Sequence, residues 1–141
     1  MPRPAIKIRM CRADEGAWIR DFLAEGGNKS DPALDWSNPV PFWLVAEVGG
    51  TRAGVVNICP SRPNGRIESL HIDPTLPHRF RALIVRDIIL HAVEFLRRMC
   101  QCTGIKAMVS YDVSNSYKRI LRRHGCYVID RGVMYQKVLG A

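Results

Sequence analysis

The sequence has no apolar run that approaches the ~20 consecutive residues of a membrane-spanning helix. Its opening residues, Met1-Pro-Arg-Pro4, carry neither an apolar signal region nor a cleavage site. Internal repeats and low-complexity tracts do not occur either. These absences predict a soluble, cytoplasmic protein without a membrane partner.

The cysteines are not arranged to bind a metal ion. The five cysteines are odd in number and scattered, which argues against the disulfide framework of a secreted domain. Cys100 and Cys102 lack the usual zinc spacing, and no second pair completes a set of ligands. We therefore expect buried apolar thiols and no metal site.

Acidic residues are outnumbered, because 21 Lys and Arg stand against 13 Asp and Glu, for a formal charge of +8. Such an excess favours polyanionic partners: nucleic acid, an acidic protein surface or the phosphates of a cofactor. A recognition helix, an aromatic-rich strand signature and a zinc finger are all missing, so a dedicated nucleic-acid binder is the least favoured of these classes. The ordinary balance of 47% hydrophobic and 24% charged residues predicts one globular domain spanning residues 1–141.

The first half alternates short apolar segments with turn signals. Asp14 is predicted as the cap of a helix that ends at Gly26-Gly27, and residues 28–41 are predicted as a loop. Gly49-Gly50 and Asn64-Gly65 are hairpin signals between strands. The predicted strands of this half are 5–11, 42–48, 53–59 and 66–72. In the last of these, simple alternation places Ile67, Ser69 and His71 on one face, and Glu68, Leu70 and Ile72 on the other.

Glycine is missing between Gly65 and Gly104, and this stretch has a helical apolar period. The repeat predicts a long amphipathic helix that Gly104 closes; its apolar positions are Phe80, Ile84, Ile88, Ala92, Phe95 and Met99. After it we expect a strand over 105–110, a short helix from Ser114 or Asn115 to Gly125, and strands over 126–129 and 133–138. This order predicts an α/β (α+β) fold with a mixed sheet and helices packed on it.

Three segments carry a resemblance to a known superfamily: Ile67–Pro74, Ser114–Gly125 and Cys11–Asp14. Together with the element order, they are similar to the central strand, the late helix and the opening turn of the Gcn5-related N-acetyltransferases (GNAT). The resemblance implies a mostly antiparallel central sheet, a long crossover helix and a central strand that separates from its neighbour. It also implies acetyl-CoA as cofactor and an amine as acceptor.

The resemblance assigns candidate site residues. Glu68 is the expected proton acceptor, with His71 as the alternative, and Tyr117 is the expected proton donor. The cofactor is expected to contact the end of the central strand and the starts of both later helices, at Ile72, His78, Arg79, Phe80, Arg81, Ala82 and Asn115.

Two departures from the family pattern bear on activity. The family places an Arg/Gln-x-x-Gly-x-Gly/Ala run at the diphosphate, where this sequence reads Pro77–Ile84 without a glycine. The family tyrosine position falls on Leu121, which cannot donate a proton. These departures predict weak or lost catalysis.

A second resemblance links Arg79–Ile84 and Asn115–Gly125 to the small acetyltransferase-like internal virion proteins of short-tailed phages. It implies an alternative, in which a non-catalytic module resides in a virion and contacts partner proteins or packaged DNA. A homo-oligomer is also compatible with this setting. The basic cluster available for such contacts comprises Lys118, Arg119, Arg122, Arg123 and His124.

Overall fold

The computed structural model describes residues 5–26, 35–60, 63–108, 119, 122–123, 127–130 and 134–138. The strands are β1 (Ile6–Met10), β2 (Trp43–Val48), β3 (Thr51–Cys59), β4 (Asn64–Ile72), β5 (Gly104–Met108), β6 (Tyr127–Asp130) and β7 (Met134–Val138). The helices are a short 3-10 turn (Ala13–Glu15), α1 (Gly16–Glu25) and α2 (His78–Arg98).

The strands form one seven-stranded sheet in the order β1-β2-β3-β4-β5-β7-β6. Among the described strands, β4 and β5 form a parallel pair and all the other neighbours are antiparallel. The parallel pair follows from the connection, because α2 carries the chain back across the sheet between β4 and β5. The mixed, mostly antiparallel sheet with a long crossover helix confirms the predicted fold class.

The sheet is covered on both faces. On one face, the apolar stripe of α2 packs on alternate strand residues, and this core includes Leu44, Val56, Ile58, Ile67, Ile84, Ile88, Ala92 and Leu96. On the other face, α1 packs on the intervening residues, and this core includes Ile19, Phe22, Leu23, Trp43, Val45 and Val55. Burial on both faces explains why β2 and β3 read as nearly continuous apolar runs.

The entry to α1 rests on buried charge. Glu15 accepts hydrogen bonds from Arg9 and from the Arg12 backbone N–H at 2.7 Å, and Arg52 lies 3.3 Å away. The hydrogen bond from Arg9 lowers the pKa of Glu15 to about 2, although burial opposes this shift. Asp14, predicted as the helix cap, lies inside the 3-10 turn, so that prediction was wrong. Arg12 is the N-cap of this turn, and Glu15, which is the N-cap of α1, accepts a hydrogen bond from the Arg12 N–H.

Two predicted boundaries were also wrong. Asn64-Gly65 begins β4 and is not a turn. At Gly65 an added Cβ would lie 2.9 Å from Leu96 Cδ1, so the glycine is needed because α2 approaches closely. Helix α2 ends at Arg98 with Met99 as its C-cap, and Gly104 starts β5.

The predicted helix over 114–125 lies mostly outside the described residues. Arg119, Arg122 and Arg123 are described there, and they are helical and exposed. Within the described ranges, no helix combines the length and the apolarity needed to cross a membrane.

Candidate functional site

The central strand β4 leaves its parallel neighbour part-way along its length. The pairing with β5 runs from Asn64–Gly104 to Ile67–Ala107, whereas β4 continues to Ile72. Among the described residues, β4 beyond Ile67 has no partner on its β5 side, and this stretch is here called the opening. The residues that follow β5 lie outside the described part of the chain, so the strand separation that the resemblance implied stays a prediction.

A β-bulge lies at the opening. Val55 pairs with His71 and Asn57 with Glu68, so β4 has one residue more than β3 between these pairs. Ser69 has φ 51°, in the left-handed region of backbone conformation that residues other than glycine rarely adopt. The extra residue shifts the side-chain alternation of β4 by one position.

The bulge corrects the predicted faces of β4. Leu70 and Ile72 lie on the α2 side together with Ile67. This is the arrangement expected when one extra residue interrupts the alternation of side chains along β4. His71 contacts Phe22 of α1 and therefore lies on the opposite side. Glu68 follows Ile67 directly, so it also points to the α1 side. Sequence alternation had separated Glu68 from His71 and grouped it with Leu70 and Ile72, and that prediction was wrong.

The Glu68 carboxylate is partly accessible, with 28% of its side chain exposed. Its Oε1 lies 3.5 Å from Nε of Arg66, which is half-exposed on the same strand. Glu68 is thus the first residue of β4 beyond the segment paired with β5, and its carboxylate forms a long ion pair with Arg66.

The imidazole of His71 is enclosed. Its ring centroid lies 4.6 Å from that of Phe22, and its Nε2 is buried without a hydrogen-bond partner among the described residues. Burial lowers the pKa of His71, while the Glu25 and Asp73 carboxylates act in the opposite direction. A neutral imidazole with a sealed Nε2 is less available than Glu68 for proton transfer.

The first turn of α2 follows the end of β4 and is basic. Pro77 is the N-cap, and its carbonyl accepts hydrogen bonds from Phe80 N–H at 2.9 Å and Arg81 N–H at 3.0 Å. In the described part of this turn no side chain caps the helix end and no residue is acidic. The N–H groups of His78 and Arg79 come before the first of these hydrogen bonds and have no partner within the helix. They can therefore donate to an anion at the positive end of the helix dipole.

The side chains of this turn differ in exposure. His78 and Arg79 are exposed, and the Arg79 guanidinium lies 5.1 Å from the centroid of the Phe80 ring. Phe80, Arg81 and Ala82 are partly buried. The Nε of Arg81 is buried and has no hydrogen-bond partner among the described residues. Such a donor is costly to bury unless a ligand or water satisfies it.

Two candidates, Tyr117 and Asn115, lie outside the described residues. Ile72 contributes its side chain to the α2-side core beside the opening. The described residues contain no group of three or more His, Cys, Asp or Glu placed to hold a metal ion.

Solved structures match this arrangement over almost its whole length. A GNAT-family acetyltransferase from Staphylococcus aureus superposes with a TM-score of 0.73 at 14% identity, covering 96% of this chain and 100% of that one. An N-acetyltransferase from Thermoplasma acidophilum in complex with coenzyme A gives 0.70 at 14% identity, covering 95% and 99%. The chain has the GNAT fold. A diaminobutyrate acetyltransferase from Paenibacillus lautus, in complex with its substrate and coenzyme A, gives 0.66 at 12% identity, covering 97% and 95%.

Sequence comparison adds nothing to this fold assignment. No protein-family model matches the chain, and no curated protein matches its sequence. At such low identity the structural likeness shows the GNAT fold, and activity must be argued from the residues themselves.

The α2 turn fits the diphosphate of coenzyme A by charge and by free donors. His78 and Arg79 lie before the first hydrogen bonds of the helix and have free backbone N–H groups, and Arg79 and Arg81 add positive charge to the same turn. The turn contains Phe80 and no glycine, so its side chains limit how closely a phosphate can approach the backbone N–H groups. The fit therefore depends on arginine side chains.

Proposed function

We propose that the chain binds acetyl-CoA at the first turn of α2 and transfers the acetyl group to an amine at a low rate. The observation that carries this proposal is the uncapped, basic start of α2, which lies close in sequence to the end of the central strand β4. The GNAT-fold structures complexed with coenzyme A support the same cofactor.

The residues of the turn bind and orient the cofactor. Arg79 and Arg81 neutralise the diphosphate with their guanidinium groups, and the His78 and Arg79 amides donate hydrogen bonds to it. Ile72 lines the opening on the α2 side. Asn115 is proposed to add a polar contact from the late helix. Acetyl-CoA supplies an acetyl group activated as a thioester.

Glu68 is the proposed proton acceptor. The amine nitrogen forms the new bond to the acetyl carbonyl carbon, and the carbon–sulfur bond breaks. The proton leaves the nitrogen for the Glu68 carboxylate, directly or through a water. Tyr117 is proposed to return a proton to the departing sulfur, because Leu121 at the family position has no proton to give. The diaminobutyrate acetyltransferase with the same fold supports a small amine as acceptor.

Three features account for the low rate. Phe80 restricts approach to the backbone, Leu121 lacks a donor, and Arg66 competes for the Glu68 carboxylate at 3.5 Å. None of them removes the opening or the positive charge that bind the cofactor.

Calorimetry tests cofactor binding directly. Acetyl-CoA is titrated into the protein, and pantetheine, which lacks the diphosphate, is the matched ligand. Micromolar binding of acetyl-CoA with at least tenfold weaker binding of pantetheine supports the proposal. Absence of heat up to millimolar acetyl-CoA overturns it.

A second candidate is a non-catalytic GNAT-like module that contacts a polyanion or an assembly partner. Arg119, Arg122 and Arg123 are exposed, and they add to the formal charge of +8. A DNA-binding titration at two salt concentrations tests it, because phosphate contacts weaken steeply with salt. Acetyl-CoA binding without turnover, combined with salt-sensitive DNA binding, favours this candidate over the enzyme.

A further inference from the structure

One side of α1 carries a column of planar groups that continues into β4. Trp18, Phe22 and Gly26 are four residues apart and share that side of the helix. The rings of Trp18 and Phe22 stack at 5.0 Å with an angle of 16°. The His71 ring follows, 4.6 Å from Phe22 and tilted by 54°. The imidazole from β4 thus takes the place that a side chain at position 26 would occupy.

Gly26 makes this contact possible. A Cβ added there would lie 2.5 Å from Nδ1 and 2.8 Å from Nε2 of His71. The backbone at Gly26 has φ −82°, which any residue adopts, so conformation does not require glycine here. The requirement comes from the ring, which presses against the end of α1.

Among the described residues, two neighbouring carboxylates are the groups that offset a positive charge on this partly buried ring. Burial lowers the pKa of His71, and the charged groups that face it are Glu25 from α1 and Asp73 at the end of β4. Its partner on β3, Val55, is fully buried and apolar. Protonation therefore favours a ring that moves towards water and away from its contact with Gly26.

We propose that His71 is an acid-sensitive latch, whose neutral imidazole holds the end of α1 against β4 and whose protonation releases it. The latch lies on the same face of the sheet as Glu68, on the other side of the Ser69 bulge. Release of α1 loosens the wall of the opening on this side. The latch depends on these contacts alone and operates whether or not the chain transfers acetyl groups.

Hydrogen exchange and histidine titration by NMR test the latch on the full chain. We expect the His71 midpoint to fall below the ordinary 6.5. We also expect the amides of residues 22–26 to exchange at least tenfold faster at pH 5 than at pH 7.5, after correction for intrinsic rates. An ordinary His71 midpoint, or pH-independent protection of these amides, overturns the latch.

The variant His71→Phe separates a latch from general acid loosening. Phenylalanine keeps the contact with Phe22 and cannot be protonated, so the acid-induced exchange of residues 22–26 should disappear. If this exchange persists in His71→Phe, the latch is wrong.

A mutant cycle tests the contact itself. Gly26→Ala forces the ring out, so residues 22–26 should lose protection already at pH 7.5. In Gly26→Ala/His71→Ala the clash is gone, and the protection lost through Gly26→Ala should be recovered relative to His71→Ala alone. Strictly additive losses in the double variant contradict the proposed contact.

Discussion

The Arg9 guanidinium and the Glu15 carboxylate form a two-point ion pair, with Nη1–Oε1 at 2.6 Å and Nη2–Oε2 at 2.8 Å. Only 4% of Glu15 and 13% of Arg9 side-chain surface is exposed. The Nε of Arg9 donates at 2.7 Å to Glu47 on the neighbouring strand β2. The pair therefore joins the edge of the sheet to the turn that starts α1.

Stability should fall in acid because of Glu15. Its pKa is lowered from 4.5 to about 2 in the folded chain, so its contribution is complete above pH 4.5 and is lost as the pH falls towards 2. A shift of this size corresponds to a loss of about 3–4 kcal/mol of unfolding free energy once the pH lies well below 2. Urea unfolding at a series of pH values from 7 to 2.5 measures it.

The matched control is Glu94, which pairs with Arg97 and Arg98 on the exposed side of α2. Glu94→Gln should change the unfolding free energy only slightly, because exposed ion pairs are weak. Glu15→Gln should cost more than this at pH 7 and should flatten the acid dependence. A Glu15→Gln variant with the acid slope of the parent chain rules out Glu15 as its source.

A second stability prediction concerns Gly16, the first residue of α1. An added Cβ would collide with the backbone carbonyl oxygen of Trp36, so Gly16 allows the chain after α1 to cross the helix start. Gly16→Ala should lower the unfolding free energy by about 2–3 kcal/mol, because backbone moves less easily than a side chain. Ala17→Ser, at the exposed neighbouring position, should stay within about 0.5 kcal/mol. Equal effects of the two changes in urea unfolding contradict this account.

The elements with strong periodicity were predictable from the sequence. The apolar stripe of α2 and the two-faced strands β2 and β3 follow from burial patterns that local sequence displays. The mixed sheet followed because a helix between two strands dictates a parallel crossover. These are the elements that give the chain its GNAT fold.

The candidate site was less predictable, for physical reasons. The bulge could not be predicted from a glycine, because the residue in the left-handed conformation is Ser69. It shifts every later side chain by one position, so His71 was placed on the wrong face. Asn64-Gly65 is typical of a turn, but here Gly65 lies in β4, where the close approach of α2 leaves little room for a side chain. The buried carboxylate of Glu15 forms ion pairs with Arg9 and Arg52, and the local sequence pattern does not predict these partners.

The arginine-based cofactor contact predicts a specific loss. Arg81→Gln should weaken acetyl-CoA binding about tenfold or more, since a charge-assisted hydrogen bond contributes about 1.5–3 kcal/mol. Arg81→Lys should recover part of the affinity, because it keeps the charge without the planar fork. Arg97→Gln, at the far end of α2, is the matched control and should leave the dissociation constant unchanged. Equal losses for Arg81→Gln and Arg97→Gln in calorimetry indicate a general effect of charge.

Glu68→Gln is the most direct test of the proposed chemistry. Glutamine keeps the shape of the side chain but accepts no proton at neutral pH, so turnover should drop by about 100-fold or more while acetyl-CoA affinity is retained. Thiol release from acetyl-CoA in the presence of a small diamine gives the rate, and calorimetry gives the affinity.

Arg66→Gln completes this test, because it removes the ion pair and leaves the Glu68 carboxylate in place. If Arg66 competes for that carboxylate, Arg66→Gln should keep or raise turnover, in contrast to Glu68→Gln. Both side chains are partly exposed on one strand, so neither change should disturb the cores on the two faces of the sheet. Turnover in Glu68→Gln equal to that of the parent chain removes Glu68 from the reaction, and His71, the remaining titratable side chain named for this role on β4, is then the next to substitute.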